Sequence, residues 1–423
     1  MDKRFFKLFD LTEEKAIAIL DTPPDQVGKE DSRYIAVSHL VNFPTEQSIQ
    51  ALIRALQQTD PSLDNRIVRR KAIETLGRLQ VAEALPLIRS CLAENDKFTV
   101  ENAVWAIGEI GTQDPILLAE ITALLGTPDQ NYRVIIQTLA KLNYHPALEP
   151  IRPFSTYPEP PVVSAAISAI CQLTGETTPM SQVTNFLQHP NVMARRLAIQ
   201  DLIDTHYDTA IPAIAQCPVS LVFRLRGIRS LAEAGIAAGH LSFEEIQPSL
   251  EQTLRDHPSD LTLVSQYDRP PELAFLIREL YDTDFGRCYL ATKQLLKDHA
   301  ETTPEALLAT YREEACADYG AHFHVVKLLG WLRYAPAYDL FIEALHNQQP
   351  QFQKSRAAAA IALGELGDRR AIDELKTCFN TRIWDLKYAA LMALQKLGET
   401  ASASLAIEDD DWLVNTKARL LMT

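Results

Sequence analysis

Basic, acidic and aromatic side chains recur at equivalent places in this 423-residue sequence. They stand two residues before, two after or six after a small or apolar residue that returns about every 31 positions. Arginine binds carboxylates through paired hydrogen bonds, glutamate accepts hydrogen bonds from N–H groups or carries a proton, and an aromatic ring stacks on a conjugated plane. The candidate residues at these positions are Arg70, Glu101, Trp105, Glu109, Arg133, Gln137, Arg196 and Arg229.

The recurring small residue marks a helical repeat. The segments that begin at Ala72, Ala103, Ala359 and Ala390 read AIETLGRL, AVWAIGEIG, AAIALGELG and ALMALQKLG. Each segment is followed by a turn and a second amphipathic stretch, and a helix pair of this length is typical of a short HEAT-like unit. No window shows sustained two-residue alternation, so we expect no β-sheet. The sequence therefore predicts an all-α protein, an α-α superhelix (α-solenoid) of HEAT-like helix pairs.

The repeat is interrupted once. The equivalent anchor residues fall at Ala36, Ala72, Ala103, Ile135, Ala166, Ala198, Gly227, Val325, Ala359 and Ala390. The step from Gly227 to Val325 corresponds to about three repeats without a recognisable anchor. We therefore predict an N-terminal HEAT-like array over 1–236, a degenerate helical seam over 237–320 and C-terminal HEAT-like repeats over 321–423.

Charge and composition exclude several classes of protein. The chain carries 41 basic and 55 acidic residues, a formal net charge of −14, which disfavours binding to nucleic acid. It contains no run of 18 consecutive apolar residues, and the first residues lack an apolar signal sequence, so we expect no membrane span and a cytoplasmic location. The six cysteines lie far apart without a CxxC pair, which favours reduced thiols in a helical core.

Motifs for autonomous catalysis are missing. The sequence has no Walker loop, no GxGxxG after a strand, no GxSxG elbow and no Cys/His spacing for zinc. His322 and His324 are two residues apart on a predicted helix and point to different faces, so they cannot share a metal ion. No His-Glu dipeptide occurs, which argues against the iron-binding HEAT-repeat hydroxylases. We predict no metal site.

Three segments carry a family resemblance. The run FTVENAVWAIGEIG at Phe98–Gly111, the segment RYIAV that begins at Arg33 and the segment YRVIIQTL that begins at Tyr132 resemble the E/F-type phycobilin lyases of cyanobacteria. The resemblance covers most of the chain at the level of repeats and is sharpest over residues 30–145. The chain length is similar to that of the single-chain members associated with phycoerythrin.

The resemblance implies a function. Lyases of this type bind an open-chain tetrapyrrole, here expected to be phycoerythrobilin, and attach it by a thioether to a cysteine of a phycobiliprotein α or β subunit. The bilin is a substrate, and no prosthetic group is expected. An adjacent His-Cys pair of the kind associated with isomerising lyases is absent, which favours attachment without isomerisation.

The expected ligand assigns roles to the recurring residues on a concave surface. Arg70 and Arg133 would bind the two propionates, Glu101 or Glu109 the pyrrole nitrogens, and Trp105 would stack on the conjugated plane. Further substrate contacts are expected from Gln137, Arg196 and Arg229. Glu101, Glu109 and Tyr132 are the candidates for the acid that protonates the tetrapyrrole.

Two other functions remain open at this level. A non-catalytic HEAT-repeat scaffold for assembly or disassembly of light-harvesting complexes would use the same concave surface. A metal-dependent HEAT enzyme is a third possibility, and it would contain bound iron or zinc. A chain that binds free bilin would support the lyase reading over the scaffold.

Overall fold

Every regular element in the computed structural model is helical over the residues that it describes, 11–58 and 60–422. The predicted α-helical class is thereby confirmed. The prediction about a signal sequence falls on residues 1–10, outside these ranges. The chain divides into two compact units, unit 1 ending at Pro179 and unit 2 beginning at Met180. The predicted division at 236 and 320 remains a prediction.

The described residues of unit 1 form five helix pairs. Its α-helices are α1 Glu13–Asp21, α2 Arg33–His39, α3 Glu46–Gln57, α4 Leu63–Arg78, α5 Leu85–Ser90, α6 Lys97–Ile110, α7 Pro115–Ala123, α8 Tyr132–Lys141, α9 Leu148–Ile151 and α10 Pro160–Thr174. Short 3₁₀ turns lie at Pro24–Gln26, Leu40–Asn42, Ala82–Ala84, Cys91–Ala93, Leu124–Gly126, His145–Ala147 and Arg152–Thr156. The even-numbered helices pack consecutively in one layer, and each contacts its odd-numbered partner.

Unit 2 contains the remaining helices of the described residues. Its α-helices are α11 Met180–Asn185, α12 Val192–Asp204, α13 Ile211–Ala215, α14 Leu221–Ala237, α15 Phe243–Arg255, α16 Leu273–Glu279, α17 Phe285–Asp298, α18 Thr303–Thr310, α19 Tyr319–Trp331, α20 Tyr338–His346, α21 Gln353–Leu366, α22 Ile372–Thr377, α23 Trp384–Lys396 and α24 Trp412–Met422. It also has 3₁₀ turns at Phe186–Gln188, Asp208–Ala210, Pro258–Asp260, Ala335–Ala337, Pro350–Phe352, Arg369–Ala371, Cys378–Asn380 and Thr400–Ala406, and a π-helical turn at Tyr311–Ala315.

The anchor residues lie where the repeat predicts. All ten are buried, and they lie on α2, α4, α6, α8, α10, α12, α14, α19, α21 and α23. An arginine three residues before several anchors ties the pair together: Arg69 donates to the carbonyl of Leu56, and Arg356 to the carbonyl of Leu345. These bonds satisfy carbonyls at the end of the preceding helix, which have no partner inside it.

Contacts that the repeat does not predict join the first helices of unit 2 to its last ones. On α14, Arg229 pairs with Asp411 at 2.7 Å. On α15, Glu251 accepts a hydrogen bond from Lys417 of α24 at 2.8 Å. These pairs join residues 182 and 166 positions apart in the chain, so the first half of unit 2 packs directly against its last helices.

A buried charged cluster lies inside unit 2. Asp256, which ends α15 with φ +52°, accepts hydrogen bonds from Arg224 and from the hydroxyl of Tyr289, and lies 3.1 Å from the Lys327 ammonium. All four side chains are buried. Burial alone would raise the pKa of Asp256, but the charges of Lys327 and Arg224 hold it below its usual value. The cluster therefore links α14, α15, α17 and α19 through one carboxylate.

Five of the six cysteines are buried free thiols, as predicted: Cys91, Cys171, Cys217, Cys288 and Cys378. The prediction was wrong for Cys316, which is exposed because it directly follows the π-helical turn at the surface. Within 11–58 and 60–422, none of the helices has the length and apolar character needed to span a bilayer.

The close packing of α19 against α21 depends on a glycine. A Cβ added to Gly330 on α19 would lie 2.5 Å from Cβ of Ala362 on α21. We expect Gly330→Ala to lower the free energy of unfolding by about 1–3 kcal/mol, the usual cost of overpacking a core. Chemical denaturation checks this value, with Gly126→Ala as control because no atom beyond its own turn of the chain lies within 4 Å of a Cβ there. Equal stability of the two variants would contradict the close approach.

Candidate functional site

The first residues of several helices in unit 2 line one open cavity of about 870 Å³. Phe285 begins α17, Tyr319 begins α19, Lys354 is the second residue of α21, and Trp384 begins α23. Helix N-termini carry a partial positive charge and free N–H groups. The volume lies within the range of pockets that take small organic ligands. The cavity is therefore suited by size and field to an anionic ligand.

The charged lining of the cavity is mainly basic. Five cations line it, against two carboxylates, those of Glu233 and Asp385. The cations are Arg196, Arg226, Arg229, Lys354 and Arg382. This local excess contrasts with the formal net charge of −14 for the whole chain. An anion in the cavity therefore experiences a positive field, although the chain as a whole is acidic.

The arginines of the cavity differ in how firmly they are held. Arg229 pairs with Glu233 at 2.9 Å and with Asp411 at 2.7 Å, and its guanidinium lies 4.9 Å from the ring centre of Trp384. Arg196 donates to the carbonyl of Thr283 at 3.1 Å. Arg382 is exposed, and within residues 11–58 and 60–422 it has no carboxylate within 4.0 Å. Its guanidinium is available to a ligand.

Lys354 lies among aromatic rings. Its ammonium is 4.3 Å from the ring centre of Phe285, 4.5 Å from that of Tyr319 and 5.1 Å from that of Phe323. Burial lowers its pKa to about 8. Among the described residues no carboxylate lies within 4.0 Å of this ammonium. The aromatic rings therefore surround a cation that is not paired with an anion.

Asp385 is the second residue of α23 and is half-buried at the wall of the cavity. Its Oδ1 accepts the backbone N–H of Leu386 at 3.1 Å. Burial raises the pKa of this carboxyl, backbone hydrogen bonds lower it, and the nearby charge of Asp411 raises it further. The net result is a carboxyl that holds its proton to higher pH than an ordinary aspartate does.

The structure separates the sequence-predicted residues. Arg196 and Arg229 line the cavity of unit 2. The other seven lie on three consecutive helices of unit 1, α4, α6 and α8: Arg70, Glu101, Trp105, Glu109, Tyr132, Arg133 and Gln137. These seven residues lie in one layer of helices in unit 1, and none of them lines the cavity of unit 2.

Several of the unit 1 residues already have partners. Arg70 forms a two-pronged ion pair with Asp96, at 2.7 to 2.9 Å. Glu109 pairs with Lys141 at 2.7 Å. Arg133 is buried and donates to the carbonyl of Pro161 at 2.7 Å, a contact that ties α8 to α10.

The remaining unit 1 residues are half-buried. The hydroxyl of Tyr132 donates to the carbonyl of Thr127 at 3.0 Å, and burial raises its pKa. The ring of Trp105 packs against Gly77 of the preceding helix. Glu101 lies on α6 two residues before the anchor of that helix, and Gln137 lies on α8 two residues after its anchor. The predicted aromatic, acidic and amide groups are thus present on one layer.

Sequence reasoning missed the cavity residues at the helix starts. Tyr319, Lys354, Trp384 and Asp385 stand five or six positions before the anchors of their repeats. The candidates predicted from the repeat stand two before, two after or six after an anchor. The signal was present, because a basic or aromatic residue stands at the start of each of these helices.

Known proteins resemble the whole chain. Residues 62–140 and 338–422 match the family model of HEAT repeats, and residues 32–58 match that of the PBS lyase HEAT-like repeat. The chain is similar to an uncharacterized phycocyanin operon protein Y of Pseudanabaena tenuis, with 62% identity over 99% of both chains. It is also similar to the bilin biosynthesis protein CpeY of a Synechococcus species, with 34% identity over 93% of this chain and 97% of the relative.

A solved structure agrees with these matches. The complex of CpcE and CpcF of phycocyanin lyase from a Nostoc species has a chain that is 26% identical, with a TM-score of 0.50 over 57% of this chain and 95% of that one. Whole-length identity to a bilin biosynthesis protein and the two kinds of HEAT repeat point to the same family. This chain belongs to the E/F-type phycobilin lyases, which are built from HEAT-like repeats.

Proposed function

We propose that this chain binds phycoerythrobilin and attaches it by a thioether to a cysteine of a phycobiliprotein α or β subunit, without isomerising it. Membership of the bilin lyase family supports the reaction class. The basic, aromatic cavity of unit 2 is the structural observation on which the proposed bilin site rests. A bilin carries two propionates and a conjugated plane, and the cavity offers cations to the propionates and aromatic rings to the plane.

Within this proposal, the least committed cations bind the propionates. Lys354 and Arg382 have no carboxylate partner among the described residues, so a propionate supplies the missing counter-charge. The indole of Trp384 offers a face for stacking, with Arg229 over its other side at 4.9 Å. Arg196 lies at the same wall and was expected from the sequence.

The rate of the attachment reaction depends mainly on how the protein orients the two reactants. The nucleophile is the cysteine thiolate of the acceptor subunit, which adds to the exocyclic carbon of the ethylidene group on ring A. Holding thiolate and bilin in a near-attack geometry is worth roughly 7–11 kcal/mol of the barrier. The Asp256 cluster links α14, α17 and α19, three helices that carry residues of the cavity wall, and so stabilises that side of the geometry.

The layer of unit 1 is a second candidate surface. There, Arg70 and Arg133 are proposed for the propionates, Glu101 or Glu109 for the pyrrole nitrogens and Trp105 for stacking, with Gln137 beside them. Glu101, Glu109 and Tyr132 are the acid candidates of this surface. The ion pair of Arg70 with Asp96 and the buried position of Arg133 mean that a bilin would have to compete with existing contacts. That competition favours the cavity of unit 2.

Bilin binding by the purified chain tests the proposal. Titration with phycoerythrobilin and, separately, with phycocyanobilin should give a saturable change in absorbance, with tighter binding of phycoerythrobilin. Equal affinity for both would reject the choice of bilin. No binding of either pigment would favour the non-catalytic scaffold, whose partners are proteins alone.

Bilin affinity should depend on pH through Lys354. Because its pKa is lowered to about 8, the free side chain loses its charge above that pH and must take up a proton to bind a propionate. We expect the affinity for phycoerythrobilin to fall as the pH rises through about 8. Lys354→Arg should remove this fall, since arginine stays charged. Identical pH profiles of the two proteins in absorbance titrations would exclude Lys354 from the site.

A further inference from the structure

The wall of the cavity contains one carboxyl whose placement the binding of a dianion does not explain. Asp385 lies in the first turn of α23, directly after Trp384, and lines the cavity beside the basic residues. A carboxylate opposes the binding of an anionic ligand at that position. Among the described residues it has no ion-pair partner within 4.0 Å, unlike Glu233 across the cavity. Its carboxyl therefore lies at the wall of the cavity without a cation bonded to it.

We propose that Asp385 is the acid that protonates the tetrapyrrole while the acceptor thiolate adds to it. This inference rests on the proposed function and names a residue for it. The C–S bond forms at the exocyclic carbon of the ethylidene group, whose double bond to the ring breaks. The electron pair of that double bond takes up the proton of Asp385 at the ring carbon. The cysteine has released one proton, and the carboxylate regains one from solvent, so that S and H add across the double bond.

The surroundings of Asp385 fit this task. Its Oδ1 is fixed by the N–H of Leu386, which leaves Oδ2 for the proton. The charges of Arg229 on α14 and of Asp411 before α24 act on its carboxyl. The other charged groups in this part of the cavity wall are Glu233, Lys354 and Arg382. Burial and the charge of Asp411 raise its pKa, whereas Arg229 lowers it. A raised pKa favours the protonated form that a general acid requires.

The variant Asp385→Asn keeps the size of the side chain and removes the transferable proton. We expect it to bind phycoerythrobilin with an affinity within about twofold of the parent, and to transfer it roughly 100-fold or more slowly. The difference should be largest at low pH and shrink as the pH rises, because the parent loses its protonated carboxyl there. Asp385→Glu should recover part of the rate.

The matched control is Asp410→Asn, which changes an exposed aspartate outside the cavity and should transfer at the parental rate. Rates are measured by single-turnover transfer to an acceptor subunit and corrected for the reaction without lyase. Parental rate and pH profile in Asp385→Asn would overturn the inference. So would loss of bilin binding in that variant, since Asp385 would then be a binding residue. Failure of the parent to bind bilin would instead reject the proposed function.

Discussion

Replacing Asp256 by asparagine is expected to lower the free energy of unfolding by about 3–5 kcal/mol. The variant leaves Arg224 and Lys327 buried side by side without the carboxylate that lies between them. Asparagine tolerates the positive φ of this position, so the loss reports the charge and not the backbone. Chemical denaturation followed by circular dichroism measures the loss.

The second cation provides the matched control. Lys327→Met removes a buried ammonium whose pKa burial lowers to about 8, while Arg224 and Tyr289 still satisfy Asp256. We expect a smaller loss for Lys327→Met, and we expect Lys327→Met to recover part of the stability lost in Asp256→Asn. A loss below about 1 kcal/mol for Asp256→Asn would show that the cluster does not hold the four helices together.

Reversing the charge of Arg382 is expected to weaken phycoerythrobilin binding by about 100-fold. A charge-assisted hydrogen bond contributes about 1.5–3 kcal/mol, or roughly 10- to 150-fold in affinity, and the new carboxylate also repels the propionate. Arg382 is exposed and has no carboxylate partner among the described residues, so Arg382→Glu should fold as the parent does. Absorbance titration measures the affinity.

The control for this variant is Arg312→Glu, which makes the same change on an exposed residue of the π-helical turn, outside the cavity. It should bind bilin as the parent does. A similar loss in both variants would mean that only the net charge of the chain matters. Unchanged affinity in Arg382→Glu would remove this residue from the site.

The repeat could be predicted from the sequence because it is a local signal. Buried anchors such as Ala103 and Ala359 impose helix packing between neighbours about 31 residues apart, and both lie where expected. The closure of unit 2 is not a local signal. Arg229 meets Asp411 across 182 positions, and no periodic pattern reports a contact at that distance.

The candidate site was predictable only in part for the same reason. Arg196 and Arg229 were predicted because each stands two residues before or two residues after an anchor of the repeat. Both line the cavity. Lys354 and Trp384 were missed because the cavity forms where the first residues of helices from distant repeats meet. The position of a residue within one repeat does not indicate such a meeting point. The contacts of Arg133 and Arg70 likewise depend on which neighbour supplies a carbonyl or a carboxylate.

Covalent transfer in a reconstituted cell tests the central claim most directly. The chain is co-expressed with enzymes that make phycoerythrobilin and with separate phycobiliprotein α and β subunits, and acceptors are examined by fluorescence on a denaturing gel. We predict a fluorescent subunit that requires the chain, that is lost when the acceptor cysteine is alanine, and that dims with Arg382→Glu in the chain. No covalent adduct on any acceptor would contradict the lyase function and favour a scaffold.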